Sequence, residues 1–362
     1  MKVNNQKNKG EWAEFYAFLT VLADRKLFAA DENLEPTEQV FIFQKVIRQD
    51  EKNLPVKIYD LTDKLSVIPI INHSNNEVLS VFDTNQIKEK TKLIFSKIQE
   101  SDKTFEIPEA EQLMKDLLCT RVKASNEEKA DLVAVIHDRV SDSFPMLGFS
   151  VKSMVGGAAT LLNAGKTTNF VYEVTAFKGD VEIVNNIKTN SKIRERIALI
   201  KECGGVFKFS QVADPQFESN QQMVDSLLPV FLAEMLLDFF TSERRTIVDL
   251  VDEMTKKSNL TNVRNQNNYG YKIRNFLDAV ALGMVPSKPW DGFMKAHGGY
   301  IVVKDDGEVL CYHLYNRDVF QMYLYNNTRL EAPSSTRHDY GKLYEKDGKL
   351  YFNLNLQIRF NK

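Results

Sequence analysis

A carboxylate, a hydroxyl and an amine stand on two apolar runs that a short polar stretch separates. Asp131 precedes the first run, Leu-Val-Ala-Val-Ile-His, and Ser150 and Lys152 lie in the second, Met-Leu-Gly-Phe-Ser-Val-Lys-Ser. Both runs are short and rich in Val, Ile, Leu and Phe, which predicts a β-hairpin over residues 129–153. Ser150 and Lys152 are two residues apart, so their side chains share one face of the sheet. An acid on one strand and a lysine on its partner can hold a divalent metal and a phosphate together.

This arrangement resembles the PD-(D/E)xK core of metal-dependent nucleases, but the second strand reads Ser-Val-Lys. Ser150 therefore stands in the catalytic position of an acid whose charge it cannot supply. Mg²⁺ prefers oxygen ligands and keeps several waters, so one or two carboxylates suffice to bind it. We predict that Asp131 and the backbone carbonyl of Val151 bind the metal. Lys152 is expected to steady the attacking water or the developing negative charge.

The second acid is expected on the first helix. Apolar residues recur at helical spacing over residues 11–24, which predicts an amphipathic helix. Glu14 and Glu11 lie on one flank of its apolar stripe, with Glu14 the first candidate for a catalytic metal ligand and Glu11 the next. The alternative is that both are solvated first-turn acids favoured by the helix dipole. Asp138 is a weaker candidate, because seven residues of extended strand put it ~23 Å from Asp131.

The composition limits the classes of protein to which this chain can belong. The chain has 362 residues, 43% of them hydrophobic and 27% charged, as in ordinary globular proteins. A net charge of −2 excludes a uniformly basic surface but allows a local basic groove. The three cysteines, Cys119, Cys203 and Cys311, have no zinc or redox spacing and suit a reducing cytoplasm. The polar N-terminus predicts no signal peptide, and no apolar run is long enough to span a membrane.

The remaining pattern predicts the elements that position these residues. Helices are expected over residues 84–99, 108–118, 191–203, 221–241 and 246–256, strands over 40–47, 65–71 and 170–177, and hairpins over 300–314 and 343–360. These elements predict an α+β fold, in the broad sense α/β, and the resemblance to the PD-(D/E)xK core implies a restriction-endonuclease-like mixed central sheet flanked by helices. The composition shift near residue 257 divides it into a nuclease core, 1–256, and a mainly β C-terminal subdomain, 257–362, expected to read DNA.

Seven longer segments carry a more specific pattern: Asn-Lys-Gly-Glu-Trp-Ala-Glu-Phe-Tyr from residue 8, Leu-Gly-Phe-Ser-Val-Lys-Ser from 147, Thr-Leu-Leu-Asn-Ala from 160, Thr-Asn-Phe from 168, Gly-Gly-Tyr-Ile-Val-Val-Lys from 298, Gly-Glu-Val-Leu-Cys-Tyr-His-Leu-Tyr-Asn-Arg from 307 and Asn-Leu-Asn-Leu-Gln-Ile-Arg-Phe from 353. From the first helix to the last strand, these segments resemble type II restriction endonucleases of the HpaII family. Gly10 followed by Glu14 also resembles the opening of archaeal Holliday-junction resolvases.

The resemblance implies Mg²⁺-dependent cleavage of double-stranded DNA at CCGG, in the cytoplasm, alongside a cognate DNA methyltransferase. Mn²⁺ is expected to substitute for Mg²⁺, and Ca²⁺ to bind without turnover. A palindromic site suits a two-fold homodimer, and a monomer that reads both halves is the alternative. Two further functions compete: a DNA-binding protein with a decayed nuclease core, suggested by Ser150, and a structure-specific resolvase, suggested by the first helix. The long C-terminal part argues against the resolvase.

Candidate DNA-binding residues lie in polar, cationic segments, since Arg and Lys suit guanine and phosphate contacts and short polar side chains suit phosphates and base edges. The alternative for each segment is an ordinary solvated loop. The candidates are Ser153, Asn163, Lys166, Thr168, Asn169, Arg264, Asn265, Asn267, Asn268, Lys272, Arg274, Arg317, Arg329, Ser334, Ser335, Thr336, Arg337 and His338.

Overall fold

The protein is described by a computed structural model that covers residues 6–63, 66–124, 130–139, 142–259 and 268–361. Within these ranges the helices are α1 (Lys9–Asp24), α2 (Thr84–Glu100), α3 (Pro108–Asp116), α4 (Val181–Asn185), α5 (Lys192–Glu202), α6 (Pro215–Val224), α7 (Leu228–Thr241), α8 (Ile247–Asn259), α9 (Asn268–Leu282), α10 (Arg317–Asn326) and α11 (Ser335–His338). Single 3₁₀ turns cover Lys166–Thr168 and Leu314–Asn316. None of the described helices is both long enough and apolar enough to cross a membrane.

The strands complete a mixed α+β protein, as the sequence predicts. They are β1 (Lys7–Asn8), β2 (Lys26–Ala30), β3 (Pro36–Arg48), β4 (Lys57–Asp60), β5 (Val67–Asn72), β6 (Val78–Asp83), β7 (Thr104–Phe105), β8 (Leu132–His137), β9 (Met146–Ser153), β10 (Thr160–Leu162), β11 (Asn169–Thr175), β12 (Val206–Val212), β13 (Gly299–Val303), β14 (Val309–His313), β15 (Thr328–Leu330), β16 (Leu343–Lys346), β17 (Lys349–Asn355) and β18 (Ile358–Phe360).

Contacts divide the described chain into two compact units. The first lies within Met1–Ala159 and Met294–Tyr323, and the second within Thr160–Phe293 and Leu324–Asn361. The chain therefore passes from one unit to the other more than once. Residue 257, the predicted boundary, lies inside α8 of the second unit.

The first unit is built on a nine-stranded sheet in the order β2-β14-β13-β9-β8-β3-β4-β5-β6, in which β2 also pairs with β3. The predicted hairpin is confirmed: β8 and β9 are antiparallel, with Leu132 opposite Phe149. On its other side β9 runs parallel to β13, which places Val302 opposite Lys152. Gly299 opens β13 at φ 113°, and a Cβ there would lie 1.8 Å from the Tyr312 carbonyl oxygen of β14, so this position requires glycine.

Helix α1 is the main apolar layer against this sheet, as its period predicts. Its stripe of Trp12, Phe15, Leu19 and Leu22 is fully buried and shares one core with Phe149 of β9. Burial of each such side chain stabilises the fold by ~1.5–3 kcal/mol. A capping box of Asn8 and Glu11 starts the helix. The stripe and the cap together fix the rotation of α1 about its axis.

The second unit contains a four-stranded sheet in the order β12-β11-β17-β16 and a three-stranded sheet in the order β10-β18-β15. The hairpin predicted over 343–360 is confirmed for β16 and β17, which pair as antiparallel strands. Strand β18, expected in the same hairpin, instead pairs with β10 and β15. The polar, cationic segment that contains the candidates Arg329 to His338 includes β15 and α11.

The single helix predicted over 221–241 is wrong, because the chain forms α6 and α7 with a break between them. Asp225 is extended, at φ −159° and ψ 133°, and its carboxylate accepts a hydrogen bond from the Leu227 N–H. Pro229 lies in the first turn of α7, where its missing N–H costs no helical hydrogen bond. The apolar residues on both sides of Asp225 form one nearly continuous run, so the hydrophobic pattern does not reveal this break.

Candidate active site

Asp131 is fixed at the end of the β8–β9 ladder. Its N–H donates to the Phe149 carbonyl at 2.8 Å, and its Oδ2 accepts from the Val151 N–H at 2.9 Å and from the Ser150 hydroxyl at 3.1 Å. The carboxylate thus takes the place of the backbone carbonyl that would otherwise continue the ladder. In a paired strand the N–H and C=O of one residue face the same neighbour. The Val151 carbonyl therefore faces the edge that Asp131 occupies.

Glu14 reaches this carboxylate from α1, through a third side chain. The ammonium of Lys123 lies 3.1 Å from Glu14 Oε1 and 3.2 Å from Asp131 Oδ1. The two carboxylate oxygens are therefore no further apart than the sum of these distances, 6.3 Å. The Glu14 and Asp131 side chains are only 18% and 14% exposed, whereas that of Lys123 is 49% exposed. The first helix thus supplies the second acid of a cluster around Asp131.

Glu11 does not join this cluster. Its Oε2 accepts the Asn8 N–H at 3.1 Å in the capping box, and its Oε1 lies 3.8 Å from the Lys7 ammonium. Glu11 therefore starts the helix that carries Glu14. Asp138 stands beyond the far end of β8, where it accepts a hydrogen bond from the Tyr315 hydroxyl at 2.5 Å.

Lys152 lies half-buried on β9, next to an aromatic ring. Its ammonium is 5.6 Å from the centroid of the Tyr300 ring, within the range of a cation–π interaction. Tyr300 stands opposite Ser150 on β13, is buried, and packs edge-to-face on Phe320 at 4.8 Å. The β13 strand thus supports the lysine from the side opposite β8.

The pKa values in the cluster are shifted because two acids lie close together in a partly buried place. Burial, followed by the charge of Asp131, raises the pKa of Glu14 to about 7, although Lys123 and Lys152 act in the opposite direction. Burial also lowers the pKa of Lys152, and the two carboxylates only partly offset it. Burial alone would lower the pKa of Lys123, but the charges of Asp131 and Glu14 outweigh it and raise that pKa. Glu14 is therefore the acid of the cluster that gains or loses its proton close to neutral pH.

Sequence reasoning missed Lys123. It belongs to the polar stretch before β8, and its only signal was a cation eight residues ahead of Asp131. Three members of the cluster, Glu14, Lys123 and Asp131, line a narrow cleft. No group of three or more His, Cys, Asp and Glu residues with the arrangement of a metal site is found in the part of the chain that the structure describes. Two carboxylates and one strand carbonyl still meet the small ligand requirement of Mg²⁺.

Several candidate DNA-binding residues have their polar groups engaged within the second unit. Thr168 and Asn169 are buried. The Thr168 hydroxyl donates to the Gly165 carbonyl, and the Asn169 amide donates to the His338 carbonyl. Arg329 donates to the Phe360 carbonyl at 2.9 Å. These contacts give the three residues structural roles that the sequence pattern did not reveal.

Other candidates in this unit have partial or local partners. The Lys272 ammonium lies 3.0 Å from Asp225, and the Arg274 guanidinium lies over the Tyr325 ring at 5.8 Å. Ser334 caps α11 by accepting the Arg337 N–H, and Lys166 lies 3.7 Å from Asp339 with 72% of its side chain exposed.

The remaining candidates are placed as follows. In the second unit, Asn163, Thr336 and Arg337 are exposed, and Ser335 and His338 are half-buried. In the first unit, Arg317 is exposed at the start of α10 and Ser153 is half-buried at the end of β9, where its hydroxyl accepts the Val155 N–H. Asn268 opens α9. Arg264, Asn265 and Asn267 lie outside the described residues.

Comparison with known proteins agrees with the resemblance seen in the sequence. The family described as HpaII restriction endonuclease matches residues 8–360. A curated relative, the "Type II restriction enzyme HpaII" of Haemophilus parainfluenzae, is 38% identical over 358 residues, which cover 98% of each chain. No solved structure matches the chain significantly.

Proposed function

The chain belongs to the HpaII restriction endonuclease family, and from this premise we propose that it is a type II site-specific deoxyribonuclease that uses Mg²⁺ to hydrolyse double-stranded DNA at CCGG. The main observation in support of this chemistry is that the carboxylates of Glu14 and Asp131 lie within 6.3 Å of each other, beside Lys152. The resemblance to a family supplies the activity, and this cluster supplies the residues able to perform it.

The donor set fits a hard divalent cation. Asp131, Glu14 and the Val151 carbonyl offer three oxygens, and Mg²⁺ completes its shell with water and phosphate oxygens. When bound, the ion would polarise the scissile phosphate and acidify a water. Mn²⁺ has the same preference for oxygen, and Ca²⁺ is expected to bind without supporting turnover.

The chain's own residues do the positioning. Asp131 is immobilised by the Val151 N–H and the Ser150 hydroxyl, so Ser150 orients the acid instead of replacing one. Glu14 replaces the acid absent from the Ser-Val-Lys strand, and the buried stripe of α1 aims it. Lys152, beside the two carboxylates on β9, would steady the attacking water or the developing negative charge. For these residues to act together, the central sheet and the first helix must be arranged as in a restriction endonuclease.

Sequence reading is proposed for exposed polar residues. Asn163, Lys166, Thr336 and Arg337 have side chains in solvent, and Arg337 is suited to a guanine edge. A homodimer would present such residues twice to the two halves of CCGG. A cognate methyltransferase acting on the same site in the cytoplasm would protect host DNA.

A plasmid cleavage assay tests the proposal. The DNA carries CCGG sites, and a matched plasmid has every site altered. Discrete fragments with Mg²⁺, and none with Ca²⁺ or excess chelator, are expected only from the first plasmid. A decayed nuclease would cut neither, and a resolvase would cut only branched DNA. Glu14→Gln should lose cleavage, while Glu11→Gln, on the same helix but outside the cluster, should retain it.

A further inference from the structure

Lys123 is the one member of the cluster to which the proposed chemistry gives no role. Its ammonium stands between the two carboxylates, at 3.1 Å from Glu14 and 3.2 Å from Asp131. Both acids are largely buried and would repel each other if both were ionised without a cation. Lys123 thus supplies the positive charge that makes this arrangement of acids stable.

The position of that charge conflicts with a divalent ion. Asp131 Oδ2 already accepts two hydrogen bonds from β9, so a cation shared with Glu14 would approach Oδ1, which now contacts the ammonium, and would come close to the other partner of that ammonium, Glu14 Oε1. Metal ligands lie at ~2.1 Å from Mg²⁺, so an ammonium at hydrogen-bond distance from both oxygens cannot remain there. Like charges would add to the steric conflict.

Lys123 is also the residue of the cluster whose side chain can most easily move away from the carboxylates. Half of its side chain is exposed, and its ammonium contacts the two acids. Asp131, by contrast, is bonded to β9 through two further hydrogen bonds, and Glu14 is carried on a buried helix. Exchange of a flexible lysine would therefore leave the rest of the cluster in place.

We infer that Lys123 is an exchangeable counter-ion, which neutralises Glu14 and Asp131 until a divalent cation displaces its ammonium. This inference rests on the proposed function, because it needs the two acids to bind a metal. Lys123 would compete with the metal for the two carboxylates. The affinity of the site for a divalent cation would therefore depend on a residue that is not a ligand. The displaced ammonium would then be available to a DNA phosphate near the cleft.

The experiment is Ca²⁺ titration of the full-length protein by calorimetry, without DNA. Lys123→Met keeps the apolar stem and removes the charge, Lys123→Arg keeps the charge, and Lys97→Met, which removes a lysine paired with Glu100 on α2, is the control. A partly exposed ion pair changes an equilibrium constant by up to about fivefold, and Lys123 makes two. Ca²⁺ should bind Lys123→Met about five- to tenfold more tightly than wild type, whereas Lys97→Met and Lys123→Arg should stay within about twofold.

A second measurement uses the unaltered protein. Labelling of amines by an acylating reagent, followed by mass spectrometry, should modify Lys123 faster in Ca²⁺ than in chelator, while Lys97 keeps its rate. Equal or weaker Ca²⁺ binding by Lys123→Met, or labelling that Ca²⁺ does not accelerate, would overturn the exchange. If wild type cuts plasmid and binds Ca²⁺, either result rejects the exchange alone. If wild type neither binds Ca²⁺ nor cuts, the proposed function and the exchange fail together.

Discussion

Replacement of Glu14 by Gln should stabilise the protein above neutral pH while removing its activity. Glutamine resembles the protonated carboxyl in shape and hydrogen bonding, so the variant isolates the effect of the charge. The raised pKa of Glu14 means that the folded state disfavours the ionised form. A carboxyl of this kind contributes stability below its unfolded pKa, and that stability is lost as the pH rises through the folded pKa.

The magnitude follows from the pKa displacement. Burial and Asp131 move the pKa of Glu14 from 4.5 to about 7, and each pH unit is worth about 1.36 kcal/mol. Glu14→Gln should therefore exceed wild type in free energy of unfolding by less than about 1 kcal/mol at pH 5 and by about 3 kcal/mol at pH 8.5. The contributions of Lys123 and Lys152 to the balance are already contained in that pKa.

Urea unfolding monitored by tryptophan fluorescence measures this difference. The chain has two tryptophans, so a Trp290→Phe background leaves Trp12, buried on α1, as the reporter of the unit that carries Glu14. Glu11→Gln in the same background should destabilise only slightly, and by a similar amount from pH 5 to 8.5, because glutamine can still accept the Asn8 N–H but lacks the charge that favours the first turn. A stability difference between Glu14→Gln and wild type that is constant from pH 5 to 8.5, or that shrinks with pH, would refute the reasoning.

Three further outcomes are expected. Lys152→Ala should abolish plasmid cleavage but leave specific binding in gel-shift assays largely intact, and a variant that still cuts at nearly the wild-type rate would remove Lys152 from the site. Arg337→Ala should weaken specific binding by ~1–3 kcal/mol, with a smaller loss for nonspecific DNA; equal losses would make it a phosphate contact. Asp50→Ala should destabilise by ~3–5 kcal/mol in urea unfolding, because buried Arg48 and Lys57 contact Asp50 at 2.7 and 2.6 Å and would lose their shared acid; a loss below 1 kcal/mol would contradict this.

The last of these has a matched control. Asp24 pairs with Lys88 at 3.6 Å on the surface, with both side chains at least half exposed. Asp24→Ala should change stability by less than ~1 kcal/mol.

The sequence predicted the structure best in the segments whose apolar residues follow a clear pattern. Alternating and continuous apolar runs predicted the β8–β9 hairpin, and the 3.6-residue stripe predicted α1, so Asp131, Lys152 and Glu14 could be named in advance. The same stripe identified the helix flank that carries Glu14. It could not separate Glu14 from Glu11, because that choice depends on the capping box with Asn8 and on the rotation of a packed helix.

What the sequence concealed depends on contacts between distant parts of the chain. Lys123 joins the cluster only because the fold brings its stretch beside α1, and no local pattern encodes that approach. Buried Thr168 and Asn169 read as loop donors because short polar residues are alike in turns and in internal networks. The break between α6 and α7 rests on one extended residue, Asp225, inside an apolar run.

The parallel pairing of β9 with β13 sets an order of events during synthesis. Glu14, Asp131 and Lys152 have all been translated by residue 152, but β13, which flanks the Lys152 strand and carries Tyr300, follows nearly 150 residues later. Pairings that distant in sequence form late. A nascent chain therefore contains every proposed catalytic group well before the sheet that orders them is complete. Until β13 has been made, the proposed catalytic groups lack the strand that supports Lys152.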